Sequence, residues 1–596
     1  MMKSILSLME TTMTNNNSQQ NILVLIYDNL ISILFWFILS FLALVSIKHT
    51  CLVDSYEITF FLKDKPLIHI ALILILITVF TLLKYSSFIG SLEKRLETDS
   101  RFFKTLTGAG LLIIFFLSLY FIFSAKLAPV SDQLFVQEAA EAFSKGDYSS
   151  LEKGGYLAVY PNQLGLVWIS YVFFSIFGFG NYQAFQIMNA LFLVMFYKKL
   201  SDITGLVSPG KKLPTLSVIL LGILFYPLQI YCTFVYGTIP GLALSAASVY
   251  YALTFQNELK KKDAILSALF ILLAMLFKPN YLICFIGIFL HAVIGIFRKN
   301  SPASDSKTEA KTSIKKEVLF SALLITAFIV QSKLPGIVTS TVTKMDTPKG
   351  ASSLSWIAMG FQESGLAEGW YNGYNIKTLH EFDFDSELQS EAAKEEIVSR
   401  LSYFVHNPHY SVEFFTRKLT SEWNDPTYEA YWILRTSNKS EDSSAWAKTF
   451  ISYDNYLKGV GFLNFLQTFI LIGALLFASS RLFAEKKVAC LSVPIQSADI
   501  LLEIILIGGF FFHLMWEAKS QYTLTYIALL LPLSIVGYHR FINAVTRASK
   551  QSLALFAVKM LIPVALFAFI YSGSIGSHMS EDNDAYLRTI ERELSE

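Results

Sequence analysis

Charge is scarce in this chain. Of its 596 residues only 16% are Asp, Glu, Lys or Arg, while 53% are hydrophobic and 15% aromatic. Soluble domains carry about a quarter charged residues, so the balance excludes an ordinary soluble chain and points to a multispanning membrane protein. Cysteine is scarcer still. Cys51, Cys232, Cys284 and Cys490 lie far apart, with no CxxC and no metal spacing, so they read as ordinary thiols without a disulfide framework. The net charge is +2, and no basic arm or RNA-binding signature is present, so nucleic acid is not an expected partner. Walker A, HExxH, GxSxG and Rossmann fingerprints are all missing. No internal repeat is evident, which weighs against a transporter made of two related halves. The first 22 residues hold one lysine and no long apolar core. They are expected to be a short disordered cytoplasmic tail, not a cleaved signal peptide.

What the chain does have is apolar runs. A crossing helix needs about 20 mostly apolar residues, and fourteen candidates centre on 26–47, 66–83, 105–125, 164–180, 182–197, 213–231, 237–255, 264–277, 281–297, 318–334, 459–480, 498–515, 522–538 and 553–571. Lys and Arg in short loops stay in the cytoplasm. Residues 84–104 hold Lys84, Lys94, Arg95, Arg101 and Lys104, and 198–212 hold Lys198, Lys199, Lys211 and Lys212. Further basic loops carry KKK at 260–262, RK at 298–299 with KK at 315–316, Arg481 with KK at 486–487, and Arg540 with Arg547. The loop 48–65 is placed outside despite Lys48, Lys63 and Lys65. Three runs lie between the first two basic loops, yet two cytoplasmic loops must be joined by an even number of crossings. The short, aromatic run LGLVWISYVFFSIFGFG at 164–180 is therefore expected to lie in the outer membrane face. Thirteen spans remain, with the N-terminus inside and the C-terminus outside.

Two outer segments follow. The loop 126–163 contains APVSDQLFVQEAAEAFSKGDYSSLEKGGYLAVYPNQ, in which an amphipathic helix begins at Asp132 and stops at KGDY. The segment 335–458 is expected to be a small, largely helical cap, with a break at Asn407-Pro408 and no alternating strand pattern. A structural role for Asp132 is simple: Ser131 caps the helix and Asp132 favours its positive end. A chemical role is a general base, since an acid where water is scarce is costly without a task. Lys278 in LFKPNYL and Lys519 in MWEAKSQYTLTY sit in tight outer turns. Each is either a snorkelling lysine, with Glu517 a local partner of Lys519, or a point charge for phosphate. Trp370, Asn372, Trp423 and Asn424 suit sugar rings, or else form the cap's own core. The sparse intramembrane acids, chiefly Glu503, do not read as a proton relay, although His513 could serve alone.

SDQ after the third span, GDY, and YPNQ before an interfacial run resemble the integral-membrane glycosyltransferases of the GT-C fold. The likeness is to bacterial relatives of protein O-mannosyltransferases and aminoarabinose transferases. MGFQESG with GWYNGYN, SEWNDPTYEAYW and WEAKSQY are similar to a Gram-positive branch, and the motifs run in order over 105–540. The resemblance implies a polyprenyl-phosphate sugar donor used at the outer membrane face, with no nucleotide donor. It places the catalytic base at Asp132, and with a lipid phosphate as donor the point charges of Lys278 and Lys519 become the expected donor-phosphate contacts. It also puts Gln133, Tyr160, Asn162, Gln163, Gln521 and Tyr522 beside Trp370, Asn372, Trp423 and Asn424 among expected substrate-binding residues. The mannosyltransferase pattern often has a second acid where this chain has Gln133, which weighs against a protein hydroxyl acceptor and against a metal. Two extra spans precede the usual first one.

The expectation is thus an all-α polytopic membrane protein of GT-C type. Its parts are a tail at 1–22, two extra spans in 23–104, a core at 105–334, the cap at 335–458, C-terminal spans at 459–574 and an external tail at 575–596. The expected function is inverting transfer of a sugar from polyprenyl phosphate to a cell-envelope glycan, glycolipid or teichoic acid at a bacterial cell membrane. No cofactor is expected, with a divalent metal left open. A polyprenyl-lipid or polysaccharide flippase, a protein O-glycosyltransferase and a structural partner of cell-wall assembly are the alternatives.

Overall fold

Long apolar helices dominate the computed structural model, which describes residues 22–299, 307–439, 445–483, 497–546 and 550–575 together with 588, 591 and 592. Nearly all of the two expected tails lies outside the described residues, as do KK at 486–487, Arg547 and Cys490. Ten helices among the described residues are long and apolar enough to cross a membrane. In Pro66–Tyr85 and Leu553–Tyr571 only 17% and 11% of the apolar stretch is covered by protein. Apolar surface of that extent needs lipid around it. The chain is an all-α, multi-pass membrane protein.

Ten is fewer than the thirteen spans read from the sequence, and the difference lies in three helices. Tyr182–Val207 is long but carries Gln186, Asn189, Lys198, Lys199 and Asp202. Lys212–Leu224 has 13 residues, and Lys261–Phe277 has 17 and opens on Lys261, Lys262 and Asp263. Polar contacts mark their ends. Gln186 donates to the carbonyls of Leu127 and Thr233 at one end, while Lys211 pairs with Glu97 at the opposite end. Lys261–Phe277 returns to the first end, where the backbone of Phe277 meets Gly237. A Cβ on Gly237 would lie 1.9 Å from the Phe277 carbonyl oxygen, so only glycine lets these segments touch.

The run at 164–180 forms helix Leu164–Phe177, bent 99° from the short helical segment before it, and would add an eleventh span if that pair were one crossing. Its contacts keep it at the first end. Gly165 packs against the Leu276 backbone, and Phe174 stacks on Phe185 near Val235.

That end also carries the polar superstructure. Helix Lys307–Thr343 runs on through Pro335, the first residue of the expected cap, and the segment between Thr343 and Tyr453 holds the shorter helices. The Thr339 hydroxyl donates to the Pro335 carbonyl. Within the cap, Ser386–His406 and Pro408–Trp423 are separate helices because Pro408 has no N–H to continue the first. Strands occur where none were expected. His49–Val53 and Thr59–Lys63 form an antiparallel hairpin between the first two bundle helices, and Leu127–Ala128 pairs with Asn438–Lys439 of the cap.

Ion pairs of the short basic loops lie at the opposite end. There Lys198 and Lys199 meet Asp202, Arg298 meets Asp28, and Arg481 meets the buried Glu503, to which Ser32 also donates. At the cap end, Lys418 is buried and its ammonium donates to the carbonyls of Gly360, Leu514 and Trp516 at 2.6, 3.2 and 2.7 Å. Three donors meet three acceptors, which fastens the cap to the bundle.

Candidate functional site

A cavity of about 530 Å³ opens at the cap end. Five segments wall it: the start of helix Asp132–Ser144 with the YPNQ turn, the loop before helix Thr238–Glu258, the Lys278–Asn280 turn, the 516–522 turn, and residues 349–356 of the cap.

Asp132 is the first residue of its helix. Ser131 makes no side-chain cap, contrary to the simple structural role, and instead holds a left-handed φ of 51°. That conformation is uncommon for a residue with a Cβ and stores local strain. The Asp132 carboxylate faces the cavity and accepts the Tyr156 hydroxyl at 3.2 Å. Its side chain is exposed to the open cavity, while the protein packed around it still costs it part of its hydration. This desolvation pushes its pKa above the ordinary carboxylate range, against the opposing pull of Lys519, the Tyr156 hydroxyl and Lys278.

Lys278 is buried on the facing wall. Its ammonium donates to Thr238 Oγ1 at 3.1 Å and lies 5.5 and 5.8 Å from the ring centres of Tyr236 and Tyr522. Among the described residues it forms no ion pair. Burial and the neighbouring Lys519 lower its pKa to about 8. An ammonium held in protein with one hydroxyl and two ring faces is under-compensated.

Lys519 is placed differently from expectation. It does not line the cavity, and its ion-pair partner is not Glu517. Its ammonium lies 2.5 Å from Glu57 of the N-terminal hairpin and 3.5 Å from Glu429 of the cap, over the ring of Trp432. Burial opposes its charge, but Glu429 and Glu57 outweigh it and hold its pKa well above the ordinary value. Glu517 is pushed up to about 8, chiefly by burial, which disfavours its charged form.

Tyr160, Asn162, Gln163, Gln521 and Tyr522 line the cavity with Asp132 and Lys278. The remaining expected substrate contacts do not. Gln133 is buried, and its Oε1 accepts the Val235 N–H at 2.9 Å, tying the helix start to the loop before Thr238. Trp370 donates to Ser421 and packs on Val53 and Ala518. Asn372 donates to Gln362. Trp423 stacks on Tyr526, and Asn424 donates to the His49 carbonyl while accepting the Cys51 N–H. The SEWNDPTYEAYW segment therefore builds a scaffold, in which Asp425 collects Thr427, Glu429 and Ser520 and so orients Glu429 toward Lys519. His513 Nδ1 lies 2.8 Å from Glu422, both fully buried beside Trp423.

The aromatic wall was missed in the sequence. Trp356 and Trp516 stack with ring centres 6.0 Å apart and planes 5° apart, and both face the cavity beside Tyr160. Trp516 stands three residues before Lys519, a proximity that could have marked it. Tyr236 directly precedes Gly237 and Thr238 and accepts from Gln163 at 2.5 Å. Nothing in the sequence pairs Glu57 with Lys519, which lie 462 residues apart. Among the described residues no group of three or more His, Cys, Asp or Glu side chains could hold a metal ion.

Comparison with known proteins adds no further assignment: no family model matches the chain, and no curated protein matches it.

Proposed function

We propose that the chain is an inverting glycosyltransferase of the GT-C type, moving a sugar from a polyprenyl-phosphate donor to a hydroxyl of a cell-envelope acceptor. One observation carries this reading: Lys278, buried and without an ion pair among the described residues, faces the same cavity as the carboxylate of Asp132. A cation under-compensated in protein favours an anionic ligand. A carboxylate opposite it, with a raised pKa, suits a general base. The Trp356–Trp516 wall offers the flat apolar faces that sugar C–H groups stack on. The ordered motifs of the SDQ, YPNQ and WEAKSQY type support the same class.

In this reaction the acceptor hydroxyl gives its proton to Asp132. Its oxygen forms the new bond to the anomeric carbon from the face opposite the phosphate. The bond between the anomeric carbon and the phosphate oxygen breaks, its electron pair going to the departing lipid phosphate. Lys278 meets the growing charge, an interaction stronger in the transition state than in the ground state. The lipid tail lies among the spans, where apolar surface already requires lipid. Thirteen crossings accompany this reading, with Tyr182–Val207, Lys212–Leu224 and Lys261–Phe277 counted beside the ten apolar helices. The basic end is then cytoplasmic and the cavity end external, at a bacterial cell membrane.

The test is to incubate the purified protein with a panel of polyprenyl-phosphate sugars and envelope glycan acceptors, measuring release of lipid phosphate. Release with one donor class and formation of an inverted glycoside are expected. No release from any donor, in a preparation that binds the lipids, would sink the reading.

A further inference from the structure

Two carboxylates already hold Lys519, which stands behind the wall in the turn between the lining residues Trp516 and Gln521, so a phosphate entering this cavity meets one open cation, Lys278, and finds the second one closed. The two carboxylates are not alike. Glu429 is fully buried at the start of helix Ala430–Thr436, and its second oxygen accepts from Ser520 at 3.1 Å. Glu57 stands at the tip of the hairpin between the first two bundle helices, beside Tyr56, which is 74% exposed. It holds a left-handed φ of 65°, unfavourable for a residue with a Cβ. Among the described residues its side chain has one polar partner, Lys519.

The hairpin is anchored at its base and sides. Cys51 donates to the Asn424 carbonyl, the N–H and hydroxyl of Thr59 both reach the Leu366 carbonyl, and Arg435 donates to the Val53 carbonyl. At the tip, Asp54 Oδ1 accepts the N–H groups of Tyr56 and Ile58. Those bonds shape the turn without fixing the Glu57 side chain. The base is tied to the cap, the tip has one further tether where Trp432 donates to the Ser55 carbonyl at 3.2 Å, and the Glu57 carboxylate is tied only to Lys519.

We infer that Glu57 is an exchangeable counter-ion of the binding site: the phosphate of an isoprenyl-phosphate ligand replaces its carboxylate on Lys519, and the hairpin tip is released when that ligand binds. The inference rests on the phosphate-lipid reading above and extends it to the first two helices, whose hairpin delivers Glu57. Without a ligand, two lysines held close together would repel, and Glu57 removes that penalty. The compensation lowers apparent affinity by the fraction of molecules in which Lys519 is free. Glu429 stays in place in both states, so Lys519 keeps its position while changing its second partner.

The experiment uses the full chain in detergent, with a long-chain isoprenyl monophosphate, the matching isoprenyl alcohol and inorganic phosphate as probes. Binding is followed by tryptophan fluorescence, since Trp356 and Trp516 line the cavity. Glu57→Gln should bind the lipid phosphate roughly tenfold more tightly than the unsubstituted protein, with no gain for the alcohol. In the unsubstituted protein, amide hydrogen exchange at 54–58 should quicken when the lipid phosphate is added and stay unchanged with the alcohol or with inorganic phosphate. Binding of lipid phosphate with unaltered exchange at the tip, or equal affinity in Glu57→Gln, would overturn the counter-ion role alone. Release of the tip by inorganic phosphate at equal concentration would overturn the lipid assignment. Absence of lipid-phosphate binding in the unsubstituted protein would overturn both this inference and the glycosyltransferase reading. The exchange measurement needs no substitution, so it decides the matter even if Glu57→Gln folds poorly.

Discussion

At the scale of single residues, the site is a carboxylate and a lysine whose surroundings move their pKa values toward one another. Asp132 is raised mainly by loss of water, and Lys278 is lowered to about 8 by burial and by Lys519. Asp132→Asn keeps the size and the Tyr156 contact but cannot take a proton. Sugar transfer should fall about 100-fold or more, with lipid-phosphate affinity and protein yield little changed. Equal losses of yield and activity would point to a structural role. The free-enzyme profile, read as kcat/KM against pH, should be bell-shaped. Its acid limb follows ionisation of Asp132, above the usual carboxylate range. Its basic limb falls as pH passes about 8, where Lys278 loses its proton and with it the attraction for phosphate. Lys519 is the strongest charge holding the Asp132 pKa down. Lys519→Met should therefore move the acid limb to higher pH, whereas Lys278→Met should chiefly lower kcat and remove the basic limb. An acid limb that does not move in Lys519→Met would separate that lysine from the base.

Helices and turns decide which of several similar side chains reach the cavity. Trp356 and Trp370 are both cap tryptophans, yet helix Ser353–Gly360 turns the first toward Trp516, while the turn at Gly369 points the second at Ser421. Trp356→Ala should weaken sugar-lipid binding with a small change in thermal stability. Trp370→Ala should instead cost about 3–5 kcal/mol of stability through the cavity it leaves. A scan of melting temperature beside a binding titration checks both, and the reverse pattern would show that the cavity wall is misassigned. Lys418 belongs to the same level. Burial lowers its pKa to about 7, and three carbonyls occupy its donors. It acts as a clasp.

Over the whole molecule, the cavity and the cap lie at one end and the short basic loops at the other. Single cysteines at the exposed Lys145 and Lys377, in an otherwise cysteine-free chain, should react with a membrane-impermeant maleimide in whole cells. Cysteines at Lys211 and Lys261 should react only after the membrane is opened. Labelling at Lys211 from outside would mean that Leu164–Phe177 crosses the membrane after all.

The sequence by itself determined the membrane class, the alternation of basic and polar ends, and the local settings of Asp132, Lys278, Tyr160, Asn162, Gln163, Gln521 and Tyr522. Those features are short-range. Hydrophobic length reports a crossing, loop charge reports a side, and a turn between two spans must lie at a bundle end. Only the tertiary structure decided which cap aromatics form the core and which face the cavity, because a tryptophan's neighbours come from elements far away in the chain. It likewise decided that Gln133 braces Val235, that Pro335 lies within a continuous helix, and that Ser131 leaves its helix uncapped. The partner of Lys519 is the clearest case. Glu517 is two residues away in sequence, but burial disfavours its charge, while a hairpin from the first loop brings Glu57 within 2.5 Å. Sequence proximity sets which charges are available to one another, and packing against the cap sets which of them remain ionised and meet.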